Sequence, residues 1–184
     1  MYFKRLLLIL FVFFTAIDAN AHNGFFVRFS IGPGFYTERS SLNESGFATP
    51  AKNHALGWGF HEKYAFQISD FGGLIKNQVG EFNYINLDAL GLGFTYRMPL
   101  NTSVTLSGAQ GNVTFARDWW EITDDGKETG YAINLSLDKE WLLAKRWGAG
   151  IGSHGFLFKT TDVDYEFIQF GINGTITFYF TPVR

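Results

Sequence analysis

The stretch IQFGINGTITFYF, residues 168–180, decides the fold because apolar and small or polar residues alternate along it. Even-numbered positions carry isoleucine or phenylalanine, apart from Gly174, and odd-numbered positions carry mainly Gln, Gly, Asn and Thr. Successive side chains of a strand point to opposite faces, so this period of two predicts a β-strand with one apolar and one polar face.

The same alternation recurs in seven further segments, at residues 25–31, 56–60, 64–68, 90–96, 104–115, 131–137 and 147–151. Two of the segments change parity. Ile85 and Leu87 precede a switch near Asp88, and Val113 lies out of phase with Leu106, so we expect a bulge or register change within residues 107–112. The proline in the sequence Gly-Pro-Gly at 32–34 predicts another kink or bulge.

The connections between these segments are alternately short and long. Residues 61–63, 99–102 and 142–146 are short links, whereas 37–53, 76–83, 118–129 and 160–166 are longer and polar. Strict alternation places every long link at one end of a closed meander, as in outer-membrane barrels. We therefore predict an all-β fold, an eight-stranded antiparallel up-and-down transmembrane β-barrel over residues 22–184.

The first twenty-one residues have the pattern of a secretory signal peptide. Lys4 and Arg5 precede an apolar run at 6–14, and Ala19-Asn20-Ala21 supplies small residues before a cleavage site ahead of His22. The apolar run is too short for a membrane-spanning helix, which needs about 20 residues. We expect residues 1–21 to be removed on export.

Composition excludes several classes of function. The 184 residues carry a net charge of −2 and no cysteine, which argues against nucleic-acid binding and removes disulfides and thiolate chemistry. The polar strand faces consist of Gly, Ser, Thr, Asn and Gln with few charges, whereas a soluble barrel needs a charged surface. Aromatic residues Tyr96, Trp147, Phe178 and Phe180 fall where a membrane barrel has its interfacial girdle. A secreted, soluble lipocalin-like binding barrel is the alternative.

Several of these segments resemble a known family. Residues 24–28 (GFFVR) leading to Gly32-Pro33-Gly34, and Lys139-Glu140-Trp141 followed by 147–150 (WGAG), are similar to a group of small bacterial outer-membrane β-barrel proteins. In architecture the chain is similar to the broader set of eight-stranded barrels such as OmpX and the OmpA transmembrane domain. The resemblance implies residence in the bacterial outer membrane, and it supplies no activity that could be transferred to this chain. We expect no cofactor and no metal.

Charged residues of the strands are candidates for a site inside the barrel. A set of five residues is expected near the periplasmic end, on or close to the inward face: Arg28, His61, Arg97, Asp138 and Glu140. Buried charges must be paired. We therefore predict a salt-bridged lumen charge cluster that closes the lumen, with a proton or ion path as the alternative.

The long links hold the candidates for contact with partners. Trp119 and Trp120 followed by Asp124 and Asp125 combine exposed aromatic rings with a charged turn. Five cations, Arg39, Lys52, Lys76, Arg117 and Lys159, are expected near the outer rim, where phosphates of lipopolysaccharide would meet them. The expected partners are outer-membrane lipids, lipopolysaccharide and the barrel-assembly machinery during insertion, with the protein itself a monomer.

One pair of residues invites comparison with outer-membrane lipid A deacylases. Those enzymes place a histidine and a serine on one face of a strand, but Ser153 and His154 are adjacent and therefore point to opposite faces. We expect a structural or surface-interaction role and no catalysis, with a lipid- or lipopolysaccharide-modifying enzyme as the alternative.

Overall fold

The computed structural model describes residues 23–39, 45–79, 82–116 and 127–181, which form a single closed ring of strands. Each strand pairs antiparallel with its neighbours in sequence, and β1 pairs with β8 to close the ring. The predicted eight-stranded antiparallel up-and-down barrel is confirmed. The strands are β1 (Gly24–Glu38), β2 (Ser45–His61), β3 (Tyr64–Val79), β4 (Phe82–Met98), β5 (Thr102–Ala116), β6 (Lys127–Ala144), β7 (Trp147–Thr160) and β8 (Glu166–Tyr179).

The connections emerge at the two ends of the barrel as expected. The links β2–β3, β4–β5 and β6–β7 are short and define the short-turn end. The other four links emerge at the opposite end, called the long-loop end, although one of them, β3–β4, is equally short. The predicted extent of the long links was wrong, because β1 runs to Glu38, β2 begins at Ser45, and only residues 80–81 separate β3 from β4. Main-chain groups form the ladder, so polar residues beyond the apolar stretches do not end a strand.

The outer wall of the barrel carries a belt of exposed apolar side chains. Leu92 is 75% exposed and Phe66 is 58% exposed, and the predicted girdle residues Tyr96, Trp147, Phe178 and Phe180 also point outward. Rings of neighbouring strands touch near the short-turn end, as in Phe66–Phe94, whose centroids lie 5.4 Å apart. Such an encircling belt is typical of a surface that meets hydrocarbon and not water.

Inward side chains form three layers along the lumen. Nearest the short-turn end is a charged layer that contains Arg28, Asp138 and Glu140, beside Phe26 and Tyr179. A polar layer of hydroxyl, amide and imidazole groups lies in the middle. An apolar core occupies the long-loop half and comprises Tyr36, Ala48, Phe71, Ile75, Ile85, Leu87, Ala89, Val113, Ala132, Phe156, Phe158 and Phe167.

This apolar core explains why the apolar residues of β4 and β5 change from even-numbered to odd-numbered positions, or the reverse, along each strand. In the sequence, these changes suggested bulges. The register of β5 is unbroken against both β4 and β6, so the bulge predicted at residues 107–112 is wrong, as is the switch in β4 near Asp88. Leu106 points outward into the belt and Val113 points into the lumen. The strand keeps its phase, and the apolar residues change sides because the lumen becomes apolar near the long-loop end.

The bulge predicted in the first strand is confirmed. The β1–β2 register shifts between Gly32 and Gly34, on either side of Pro33. Proline lacks the N–H that a continuous ladder would use, so the irregularity falls where the backbone cannot complete the pairing.

Candidate functional site in the barrel lumen

The charged layer is built around one arginine that reaches across the lumen from β1. Arg28 places its two terminal nitrogens 3.3 Å from Asp138 Oδ2 and 3.6 Å from Glu140 Oε2, both on β6. All three side chains are at most 9% exposed. The layer therefore forms a buried ion triplet with one positive and two negative groups.

Hydroxyl groups of neighbouring strands complete the coordination of the two carboxylates. Tyr179 donates a 2.7 Å hydrogen bond to Glu140 Oε1, and Thr177 donates one of 3.3 Å to Glu140 Oε2. Ser136 donates to Asp138 Oδ2 at 3.2 Å. Because these donors spread the excess negative charge over a network, the triplet is held in one arrangement.

Glycines of β7 make room for the same carboxylates. A Cβ atom at Gly148 would overlap Glu140 Oε1, and one at Gly152 would overlap Asp138 Oδ1. The glycine-alternating sequence of β7 is therefore explained by the bulk of the acidic side chains of β6.

Arg97 and His61, the other two residues of the predicted lumen charge cluster, do not belong to the ion triplet. Arg97 is partly exposed and stacks its guanidinium 5.8 Å from the centre of the Phe26 ring, the same ring that Arg28 contacts at 5.8 Å. His61 lies outside the lumen: it is exposed at the end of β2, where its Nδ1 accepts a hydrogen bond from the Lys63 N–H. Including His61 was wrong because the β2–β3 register shifts between Gly59 and His61.

The polar layer has two unlike halves. On β3, β4 and β5 the side chains bond to one another: Thr95 donates to Gln67 and contacts the hydroxyl of Thr105, and Ser69 lies between Gln67 and Ser107. On the opposite side, Asn134 donates to Asn53 across the lumen and Asn173 bonds to His154. The second half uses fewer of its polar atoms in contacts within the protein.

A second charged group lies on the outer wall, where the sequence suggested only isolated rim cations. Lys52 Nζ is 2.8 Å from Asp70 Oδ1 and 2.6 Å from Asp88 Oδ1, on three adjacent strands directly beyond the apolar belt. Among the other expected rim cations, Lys159 pairs with Asp164 at 3.5 Å and Arg39 with Glu166 at 3.9 Å. Lys76 is exposed, and Arg117 lies outside the described residues.

The remaining predicted residues are placed as follows. His154 is buried in the lumen whereas Ser153 lies on the outward side of β7, as their adjacency requires. The signal peptide and the loop candidates Trp119, Trp120, Asp124 and Asp125 fall outside the described residues. Within the described ranges, no cluster of three or more metal-ligating side chains occurs and no helix has the length and apolarity to cross a membrane.

Sequence reasoning missed three features of the lumen. The apolar core was visible in the sequence only as the parity switch at Val113, and Tyr179 was not among the residues predicted to line the lumen. The His154–Asn173 contact joins β7 to β8, and the pairing of His154 with Gly171 brings Asn173 within reach. Aligning the alternating apolar positions of β7 with those of β8 could have predicted this register.

Comparisons with known proteins agree on the fold. No protein-family model matches the chain, and no curated protein matches it in sequence. Neisserial surface protein A (NspA) is similar in structure, with a TM-score of 0.64 and 12% identity over 86% of this chain and 98% of that one. Ail, the attachment invasion locus protein of Yersinia pestis, has a TM-score of 0.55 and 12% identity, over 85% and 99% of the two chains. With its outward apolar belt and inward polar and charged layers, the chain has the fold of the small eight-stranded outer-membrane β-barrels.

Proposed function

We propose that this protein is a resident of the bacterial outer membrane whose lumen is closed and whose role is structural or surface-interacting. The observation that supports the proposal is that buried side chains line the lumen along its length, in the charged layer, the polar layer and the apolar core. An eight-stranded barrel has an interior that side chains nearly fill. Transport of solutes through such a lumen would require the side chains of each layer to rearrange.

Conductance across planar lipid bilayers tests the closed lumen. We expect the reconstituted protein to give no discrete channel steps, because both the ion triplet and the apolar core obstruct the axis. A matched variant, F71A/F156A with R28S/D138S/E140S, removes large groups from both obstructing layers and should raise ion leakage if it folds. Reproducible steps from the unmodified protein, scaling with salt conductivity, would contradict the proposal.

A role at the cell surface is supported by the direction of the long links. They leave the barrel at one end, and both described structural neighbours carry names that refer to the surface or to attachment. An epitope tag inserted among residues 121–125 should bind antibody on intact cells. A tag in the β6–β7 turn, at residues 145–146, is the control and should require permeabilised cells. The reverse pattern would contradict this orientation.

Lipid is the partner that the outer wall favours. An apolar groove of about 580 Å³ lies among Trp58, Phe66, Leu92, Phe94 and Leu106, where Gly108 leaves open space. Acyl chains would fill it in a bilayer. Direct contact between rim cations and lipopolysaccharide phosphates is less favoured, because Lys52, Lys159 and Arg39 already pair with carboxylates. Monomeric behaviour and insertion by the barrel-assembly machinery remain part of the proposal.

A non-catalytic role is supported by the placement of the one serine–histidine pair considered. Ser153 faces outward from β7 and His154 faces the lumen, so a proton cannot pass directly between them. Incubation with lipopolysaccharide, followed by mass spectrometry of the lipid A, should show no loss of acyl chains. Deacylation that disappears in S153A would overturn this part of the proposal.

A further inference from the structure

One side of the polar layer presents buried polar atoms that no protein group satisfies. Among the described residues, four such atoms lie there: Ser30 Oγ, Asn134 Oδ1, His154 Nε2 and Asn173 Oδ1. Each side chain is at most 2% exposed. Their strands, β6, β7, β8 and β1, are consecutive in the barrel, so the four groups line one continuous side of the lumen. A further unsatisfied atom, Gln169 Oε1, lies nearer the long-loop end.

The register brings these four groups close together. His154 pairs with Ser136 on β6, two residues from Asn134, and Asn173 is two residues from Thr175, which pairs with Ser30. Residues two apart share a face of a strand. The ring of His154 also covers Gly171, where a Cβ atom would overlap it. The unsatisfied atoms therefore face the same section of the lumen.

The existing hydrogen bonds define the chemistry that this side offers. The side-chain amide of Asn134 donates a hydrogen bond to Asn53 Oδ1 at 3.3 Å, and that of Asn173 donates one to His154 Nδ1 at 3.0 Å. With Nδ1 accepting, a neutral imidazole carries its proton on Nε2. What remains is one N–H donor, two carbonyl acceptors and one hydroxyl that does both.

We propose that this side of the lumen is a binding site for buried water. The ligand must be uncharged, because no carboxylate or cation is among the four groups, and it must both donate and accept hydrogen bonds. A buried water makes about three hydrogen bonds, so roughly one or two molecules satisfy the four groups. The charged layer on one side and the apolar core on the other enclose them, so the site is an internal hydrated chamber.

The opposite half of the same layer provides the contrast. Gln67, Ser69, Thr95, Thr105 and Ser107 satisfy one another at 2.8–3.0 Å. That half needs no water. Hydration is therefore confined to the β6–β1 side, which makes the proposal local and testable against an internal control.

Nuclear magnetic resonance on the full mature barrel in lipid nanodiscs tests the site. We expect dipolar cross-peaks between long-lived water and the His154 Nε2 proton and the Asn173 side-chain amide. The Gln67 amide, held by Ser69, serves as the control and should show none. Absence of water cross-peaks at both His154 and Asn173 would overturn the proposal.

A pair of serine variants gives an independent readout. S30A removes a hydroxyl that binds water in the chamber, so the water cross-peak at Asn173 should weaken. The urea concentration at the midpoint of unfolding should also fall. A dry lumen predicts the reverse for stability, because removing an unpaired buried hydroxyl should raise the midpoint. S107A is the control: it breaks the contact with Ser69 and should lower the midpoint without changing the water signal at Asn173.

Discussion

Replacing Arg28 by methionine should destabilise the barrel more than any other single loss of charge. The guanidinium lies 3.3 Å from Asp138 and 3.6 Å from Glu140, distances at which each attraction amounts to about 5 kcal/mol at an effective dielectric constant of about 20. Desolvation of the three groups offsets much of this attraction. Removing one partner nevertheless leaves buried carboxylates uncompensated, which costs about 3–5 kcal/mol.

Urea unfolding in lipid vesicles, followed by tryptophan fluorescence, measures this loss. R28M should lower the free energy of unfolding by about 3–5 kcal/mol. The control R146M removes the same charge from the exposed β6–β7 turn and should change it by less than about 0.5 kcal/mol. The triple variant R28M/D138N/E140Q should recover part of the loss, because no charge of the ion triplet remains. If R28M unfolds at the urea concentration of the unmodified protein, the ion triplet does not hold the charged layer.

Three further variants probe the lumen and one turn by the same unfolding assay. F156A opens a cavity in the apolar core and should cost about 3–5 kcal/mol, whereas the lipid-facing neighbour L157A should cost clearly less; equal losses would contradict an inward Phe156. G152A forces a Cβ against Asp138 and should cost about 1–3 kcal/mol, whereas G174A, with open space, should be neutral; the opposite order would refute the packing argument. L100N should stabilise by about 0.5–1 kcal/mol, because Leu100 has a left-handed backbone with φ of 63°; a loss of stability would show that its side chain matters more.

The sequence predicted the barrel well because its two faces meet unlike environments. Alternation at residues 168–180 and around Leu92 is strong, since hydrocarbon selects apolar residues on every second position. The same logic failed towards the long-loop end. There the outward face carries Lys52, Asp70 and Asp88, and the lumen is apolar. On β4 and β5 the pattern therefore inverted without any change in the pairing register of the two strands.

The charged layer was predicted only in part for a different physical reason. Arg28, Asp138 and Glu140 share inward parity on their strands, which a sequence displays directly. His61 follows a register shift. An extra residue at such a shift changes which face the following odd-numbered positions occupy, so counting alternate positions no longer predicts the face. The polar partners depend on which strands are neighbours and at what offset, as for Tyr179 and Glu140, and that information is three-dimensional.

Spin-label accessibility tests most directly the central claim that the apolar belt faces hydrocarbon. The chain contains no cysteine, so single cysteines at Leu92, on the outer wall, and Ser107, in the lumen, can be labelled cleanly. In a bilayer the label at 92 should collide readily with oxygen and hardly at all with a water-soluble nickel chelate, and the label at 107 should be shielded from both. A label at 92 that is freely accessible to the nickel chelate would contradict the account.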